Sequence, residues 1–365
     1  MELMEESKKI DLTDAQLSIL NLNDVINYIL GKKDYIINYE RNLISKSEED
    51  VERELSLLES LSYLHNEFSH LRDKTVVIIP PKYELWVYLC FSFVLLFSGL
   101  KVVFVYHDWA SEVIKGIFIA VGDKNVIFNN LQYVHIDNVK DQSWSDHIIL
   151  NFYDDIDNIN KNVPNFSTGV ICHDVDLDYT INYVLSSVKY FAGLSKSSLK
   201  RLIVNSSIYD EFLSRMRSKF NLLTGSVKSK VISKNFKDTI NELYSSAIAD
   251  GADILIGGNI YSDDLEMTVF TDVNMDMRIY QKDFFGPFLL ILKTESTDSD
   301  IESLLSLQPS DGILLFTKDT CSFVDNLPDQ QNKYKFLKRP NKFDLPLHDL
   351  LDAYPSLEYA LKLIS

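Results

Sequence analysis

The chain has 365 residues, 46% hydrophobic and 24% charged, enough to bury a sizeable core in two or so globular domains. Its formal net charge is −17 at pH 7, a surface that repels polyphosphates and anionic headgroups and argues against nucleic acid or an anionic membrane as partner. Lys and Arg are scattered in runs of no more than two, so the acidity reads as a solubility feature.

The first residues, MELMEESKKIDL, are acidic and lack an apolar stretch, which fits neither a signal nor a transit peptide. Residues 1–72 read as helices. Ser47-Glu48-Glu49-Asp50 opens the longest, predicted to run to residue 71 on Val51, Leu55, Leu58, Leu61, Leu64, Phe68 and Leu71. Thr75–Ile79 (TVVII) reads as a strand. The next apolar run, Leu85–Tyr106, has 22 residues and one charge, long enough to span a bilayer. The competing reading divides it at Gly99 into a buried helix, Leu85–Ser98, and a parallel strand, Lys101–Val105. A βαβ unit with residues 75–79 follows, and membrane attachment through 85–106 is the lesser expectation.

Further strands are expected at 125–128 and 147–152, with a helix at 110–121 closed by Gly122. A second series starts near 168. It has strands at 168–172, 199–204, 253–256, 267–272, 287–293 and 311–316, and helices at 177–192, 207–222, 236–249 and 298–306. This alternation defines an α/β protein with parallel sheets. The implied division is 1–72, N-terminal helices packing on the first domain; 73–161, a reduced Rossmann-like domain; 162–325, a second α/β domain; and 326–365, a C-terminal tail.

Three widely spaced cysteines, Cys90, Cys172 and Cys321, give neither zinc spacing nor an even disulfide set, and point to a reducing, cytoplasmic setting. No GxGxxG, Walker loop, HExxH or GxSxG occurs. Asp174-Val175-Asp176-Leu177-Asp178 lacks the Gly and Glu that complete a calcium loop, and reads as a helix cap. No metal is expected.

The most distinctive stretch holds GADILIGGN (251–259), MTVFTDVNMDMRIYQKDFFGPFLLIL (267–292) and DGILLFTKD (311–319). In this order they resemble three signatures of the aldehyde dehydrogenase superfamily: a Gly-Ala-x-x-x-x-Gly-Gly turn, a Glu-Glu-x-Phe-Gly-Pro loop and a Tyr-Gly-Leu strand. Upstream, DVDLDYTINYVLSSVKYFAGLSKSSLKRLIVNSSIYDEF (174–212), HIILNFYDD (147–155), SGLKVVFVYHD (98–108) and VVIIPPKYELW (76–86) resemble earlier family segments. FLKRPNKF (336–343), followed by Ala353-Tyr354-Pro355, resembles the tail of the fatty-aldehyde branch.

The resemblance implies an ancestral NAD- or NADP-dependent aldehyde oxidation. That chemistry needs a thiolate, an oxyanion donor, a base and a hydride acceptor. Lys196 stands at the nucleophilic Cys position, flanked by Ser195 and Ser197 in a loop that reads as solvated. Asn162 replaces the Glu base, and an amide takes no proton from water. Lys82 replaces the oxyanion Asn. Of the cofactor positions, the ribose Lys becomes Val105 and its companion Glu becomes Asp108. The phosphate turn Thr-Gly-Ser becomes Asn151-Phe152-Tyr153. In the Phe-Gly-Pro loop, Asp283 replaces a Glu and Phe285 is kept.

The expectation is therefore a pseudoenzyme that binds or scaffolds an unidentified protein partner and holds no NAD or NADP. Two rivals stand beside it: an oxidoreductase of weak or altered activity, for instance through a Lys196 Schiff base, and the membrane protein already described. The segments that build the family's dimer interface have no counterpart, so a family-type dimer is not expected.

Overall fold

The computed structural model describes residues 21–44, 46–64, 67–81, 84–122, 129–141, 144, 146–152, 163, 165–189, 193, 195, 198–222, 228–230, 234–260, 264–282, 284, 286–295, 312–318, 334–337 and 354–364. The chain divides into two compact units. One comprises Met1–Tyr39, Val51–Lys161 and Ile364–Ser365; the other comprises Glu40–Asp50 and Asn162–Leu363.

Three helices come first: α1 (Leu22–Gly31), α2 (Lys33–Ile44) and α3 (Glu48–Ser56). Asn21 and Asp24 form a reciprocal capping box at the start of α1, each side chain accepting the other's backbone N–H at 3.1 Å. The expected helix over 47–71 ends at Ser56 and gives way to 3-10 turns at Leu58–Leu64 and Ser69–Leu71. The cause is visible in the spacing. Leu58, Leu61 and Leu64 recur every three residues and are all buried, which suits 3.0 residues per turn better than 3.6.

The first unit then builds a parallel sheet from β1 (Thr75–Ile79), β2 (Lys101–Tyr106), β3 (Leu131–His135) and β4 (Ile148–Asn151), in the order β3-β2-β1-β4. Between β1 and β2 lies α4 (Trp86–Phe97), and α5 (Ser111–Gly122) follows β2. The run 85–106 is thus a 12-residue helix and a strand divided at Gly99, whose φ of +92° lets the chain turn back. No helix among the described residues is long and apolar enough to cross a membrane, and β2 is hydrogen-bonded within the sheet, so the membrane reading of 85–106 is withdrawn. The expected strand at 125–128 lies outside the described residues. The strand beside β2 is instead Leu131–His135, overlooked because Gln132, Tyr133 and His135 interrupt its apolar pattern.

From Trp86 to Leu96 every residue of α4 is buried, so no polar side chain is free to cap its exposed amides. Glu54 does so from α3: its carboxylate accepts from the backbone N–H groups of Trp86 at 2.8 Å and Val87 at 3.3 Å. The carboxylate itself is wholly buried. Glu54→Ala leaves both amides dry and is expected to cost about 2 kcal/mol, with Glu54→Gln losing about half of that. Urea unfolding followed by circular dichroism measures it, and equal melts for all three proteins would refute the capping role. Desolvation, with a smaller push from Glu54, raises the pKa of the nearby Cys90 thiol, so this cysteine is no nucleophile.

The second unit contains β5 (Thr168–Ile171), α6 (Leu177–Lys189), β6 (Arg201–Asn205), α7 (Ser206–Leu222), β7 (Lys228–Lys230), α8 (Lys234–Ala249) and β8 (Asp253–Ile256). There follow β9 (Asp264–Glu266), β10 (Thr268–Thr271), α9 (Arg278–Gln281), β11 (Phe288–Thr294), β12 (Ile313–Phe316) and β13 (Tyr334–Leu337). Seven strands form one sheet, β13-β12-β5-β6-β11-β10-β8, parallel throughout except for β8 against β10. Strands β5, β10 and β12 are buried along their whole length, as a sheet covered on both faces requires. The helix expected at 298–306 lies outside the described residues.

Among the acids of 174–178, Asp176 caps α6 by accepting from Tyr179 N at 3.0 Å. Asp174 does something else. It accepts from Thr317 Oγ1 at 2.9 Å and Lys318 N at 3.1 Å, tying the end of β5 to the end of β12.

Candidate functional site

In the first unit, the carboxyl ends of the parallel strands form the edge where this kind of fold receives ligands. Val105 is wholly buried inside β2. Asp108 lies just past β2 and is exposed, with its carboxylate 2.7 Å from His135 Nε2 at the end of β3. The other ring nitrogen of His135 faces Asp137 at 3.5 Å. Asn151 ends β4 with its side chain buried. Phe152 follows, and its N–H donates to Ile79 O at 3.0 Å, extending the pairing of β4 with β1. Its ring is 1% exposed and stands edge-on to Tyr88 of α4, with centroids 4.6 Å apart. No glycine follows any of these four strands within nine residues.

In the second unit, two loops enter neighbouring strands at the same edge of the sheet. Gly193, Ser195 and residues 198–200 precede β6, and Phe284, Gly286 and Pro287 precede β11. They meet at Gly193 and Gly286, where Gly286 N donates to Gly193 O at 3.2 Å. Gly193 has φ of +75°, and a Cβ there would run into the Gly286 carbonyl. Ser195 and Ser198 are buried, and Ser198 N donates to Ser195 O at 3.3 Å. Leu199 N donates to Ser187 Oγ of α6 at 3.0 Å.

Lys200 and Arg201, at the start of the strand expected at 199–204, are 1% and 0% exposed. Arg201 donates from Nε to Tyr280 O at 3.1 Å and from Nη2 to Lys282 O at 2.6 Å. Its guanidinium lies 5.4 Å from the Tyr280 ring and 5.6 Å from the Phe284 ring. Lys200 Nζ lies 5.8 Å from the same Phe284 ring. Phe284 is thus a packing partner of two buried cations. The structural part of this site that the sequence reading passed over is Gly193. Gly193 was accessible to it, standing three residues before Lys196 as the Gly of a Gly-Gln-x-Cys loop does. Lys82, Tyr153, Asn162, Lys196, Asp283 and Phe285 lie outside the described residues.

Residues 162–320 match the aldehyde dehydrogenase family. Aldehyde dehydrogenase 1A1 of Mesocricetus auratus is 32% identical over 163 residues, 42% of this chain and 32% of that protein. The mitochondrial aldehyde dehydrogenase of Leishmania tarentolae is 27% identical over 146 residues, 37% of this chain and 29% of that protein. The chain therefore spans about a third of the length of these relatives. An NAD-dependent benzaldehyde dehydrogenase from Corynebacterium glutamicum superposes with a TM-score of 0.65 over 88% of this chain and 79% of its own, at 15% identity. A succinic semialdehyde dehydrogenase from Streptococcus pyogenes, in complex with NADP+, gives 0.62 over 82% and 76%, at 14% identity.

The family match falls within the second unit, and the α/β fold is that of the aldehyde dehydrogenases. The family match ends at residue 320, before the segment that resembles the fatty-aldehyde branch.

Proposed function

We propose that this chain is a pseudoenzyme of the aldehyde dehydrogenase fold, a cytoplasmic binding or scaffolding protein that neither holds NAD or NADP nor oxidises aldehydes. The observation that carries the reading is Phe152. A dinucleotide's pyrophosphate approaches backbone closely, and glycine is used there because any side chain stands in the way. Here a phenylalanine sits at the turn, buried against Tyr88, and no glycine follows the strand ends. Asp108 is engaged by His135, and Val105 offers nothing to a ribose. The residues present do not fit the cofactor. The sequence adds that neither Lys196 nor Asn162 can replace a thiolate and a carboxylate base.

A second reading, an oxidoreductase of altered activity, is favoured by the two relatives named above, both aldehyde dehydrogenases, and by the family match, whose span 162–320 includes the nucleophile loop. Titration calorimetry with NAD+ and NADP+, together with melting temperature at millimolar cofactor, separates the two. We expect no saturable heat, no rise in melting temperature, and no aldehyde-dependent reduction of either cofactor. Saturable binding with turnover of an aliphatic or aromatic aldehyde would establish the second reading, since a ligand that binds only the folded state must stabilise it.

A further inference from the structure

The opposite end of the four-stranded sheet has a groove that the cofactor argument leaves untouched. One face of this sheet carries Val77, Val103, Val105, Val134 and Ile149, covered by Val139 and Ile136 of the 3-10 turn Ile136–Asp141 and by Trp144. Two residues toward the amino ends, the same face carries Thr75, Lys101, Gln132 and His147. The cover stops at Trp144. Beyond it lies a groove of about 620 Å³, lined by those four residues, Asn130 and Trp144 among others. That volume is in the range of small-molecule sites.

Strand register sets the lining side by side. Thr75 pairs with Lys101, and Val76 pairs with Ile148, which places His147 beside Thr75 on its other side. Val102 pairs with Leu131, which brings Asn130 beside Lys101. Imidazole, hydroxyl, ammonium and carboxamide thus form a row across the sheet. Two of these groups are unsatisfied among the described residues: the exposed Lys101 ammonium has no ion pair, and His147 Nδ1 is buried without a hydrogen-bond partner. The indole N–H of Trp144 is already spent on Val139 O at 3.1 Å, so its ring offers the groove apolar carbon alone. Among the described residues no carboxylate lines the groove.

We infer that this groove binds a small hydroxylated carboxylate of sugar-acid size. The carboxylate pairs with Lys101, the hydroxyls bond the His147 imidazole and the amides of Gln132 and Asn130, and the carbon framework lies on Trp144. The strands of Lys101 and His147 are two spacings apart, roughly 9.6 Å, which a six-carbon acid bridges with one hydrogen bond at each end.

The test is a fluorescence and NMR titration of the full chain with glucuronate and gluconate, with glucose and inorganic phosphate in parallel. Saturable binding of at least one acid is expected, perturbing the Trp144 indole and the His147 ring. Lys101→Gln should weaken it about tenfold, the worth of one charge-assisted hydrogen bond. Lys101 and Gln132 are exposed, so Lys101→Gln and Gln132→Ala should leave the melting temperature unchanged while both weaken binding. The inference is overturned if neither acid saturates, if glucose or phosphate binds as well as the acids, or if Lys101→Gln has no effect. Neither outcome bears on whether NAD binds, because the groove and Phe152 lie at opposite ends of the strands.

Discussion

Arg201→Ala is expected to lower the stability of the second unit by about 3–5 kcal/mol, the cost of breaking a buried charged network. The guanidinium is fully buried between two aromatic rings and supplies the hydrogen bonds to Tyr280 O and Lys282 O. Truncation leaves those two carbonyls facing an unfilled space, so the desolvation penalty adds to the cavity. Arg201→Met, which fills the volume without donating, should recover part of the loss. Arg201→Lys should recover less than its charge suggests, because an ammonium cannot reproduce the planar fork. Urea unfolding monitored by tyrosine and tryptophan emission reads the series. A loss below about 1 kcal/mol for alanine would mean that the loop 280–284 stands without the arginine.

Gly193→Ala is expected to be as damaging, about 3 kcal/mol or more, from two separable causes. A positive φ costs an alanine about 1–2 kcal/mol. The clash with the Gly286 carbonyl adds about 1–3 kcal/mol, because backbone cannot move aside as a side-chain tip can. Gly251 provides the control. Its φ is +101° and nothing lies within 4 Å of the place a Cβ would take, so Gly251→Ala measures the conformational part alone. If both substitutions cost the same, the two loops are not locked together at Gly193.

Much of the α/β framework was legible in the sequence because the apolar runs are short and cleanly punctuated. β1 and β8 fall where TVVII and DILI predict them, and Gly99 divides helix from strand as a C-cap glycine should. Period-three leucines at 58, 61 and 64 misled because three- and four-residue spacings look alike until hydrogen bonding is known. β3 was missed since an edge strand with one half-open face has no need of continuous apolar residues. At the candidate site, the sequence could name the substituted positions by resemblance. It could not tell that Asp108 is held by His135, or that Lys200 and Arg201 are buried, because those facts depend on which residues distant loops bring near.

Helix α4 is buried on every side from Trp86 to Leu96, and this shapes how the chain can be made. Its packing partners α1 and the turn 58–64 precede it in the sequence, and β2 follows it at once. A ribosome therefore delivers two of the surfaces that shelter α4 before the helix itself emerges. Removing the residues ahead of position 65 would release a greasy nascent segment stripped of two of its main shelters, an invitation to chaperone capture or aggregation during synthesis.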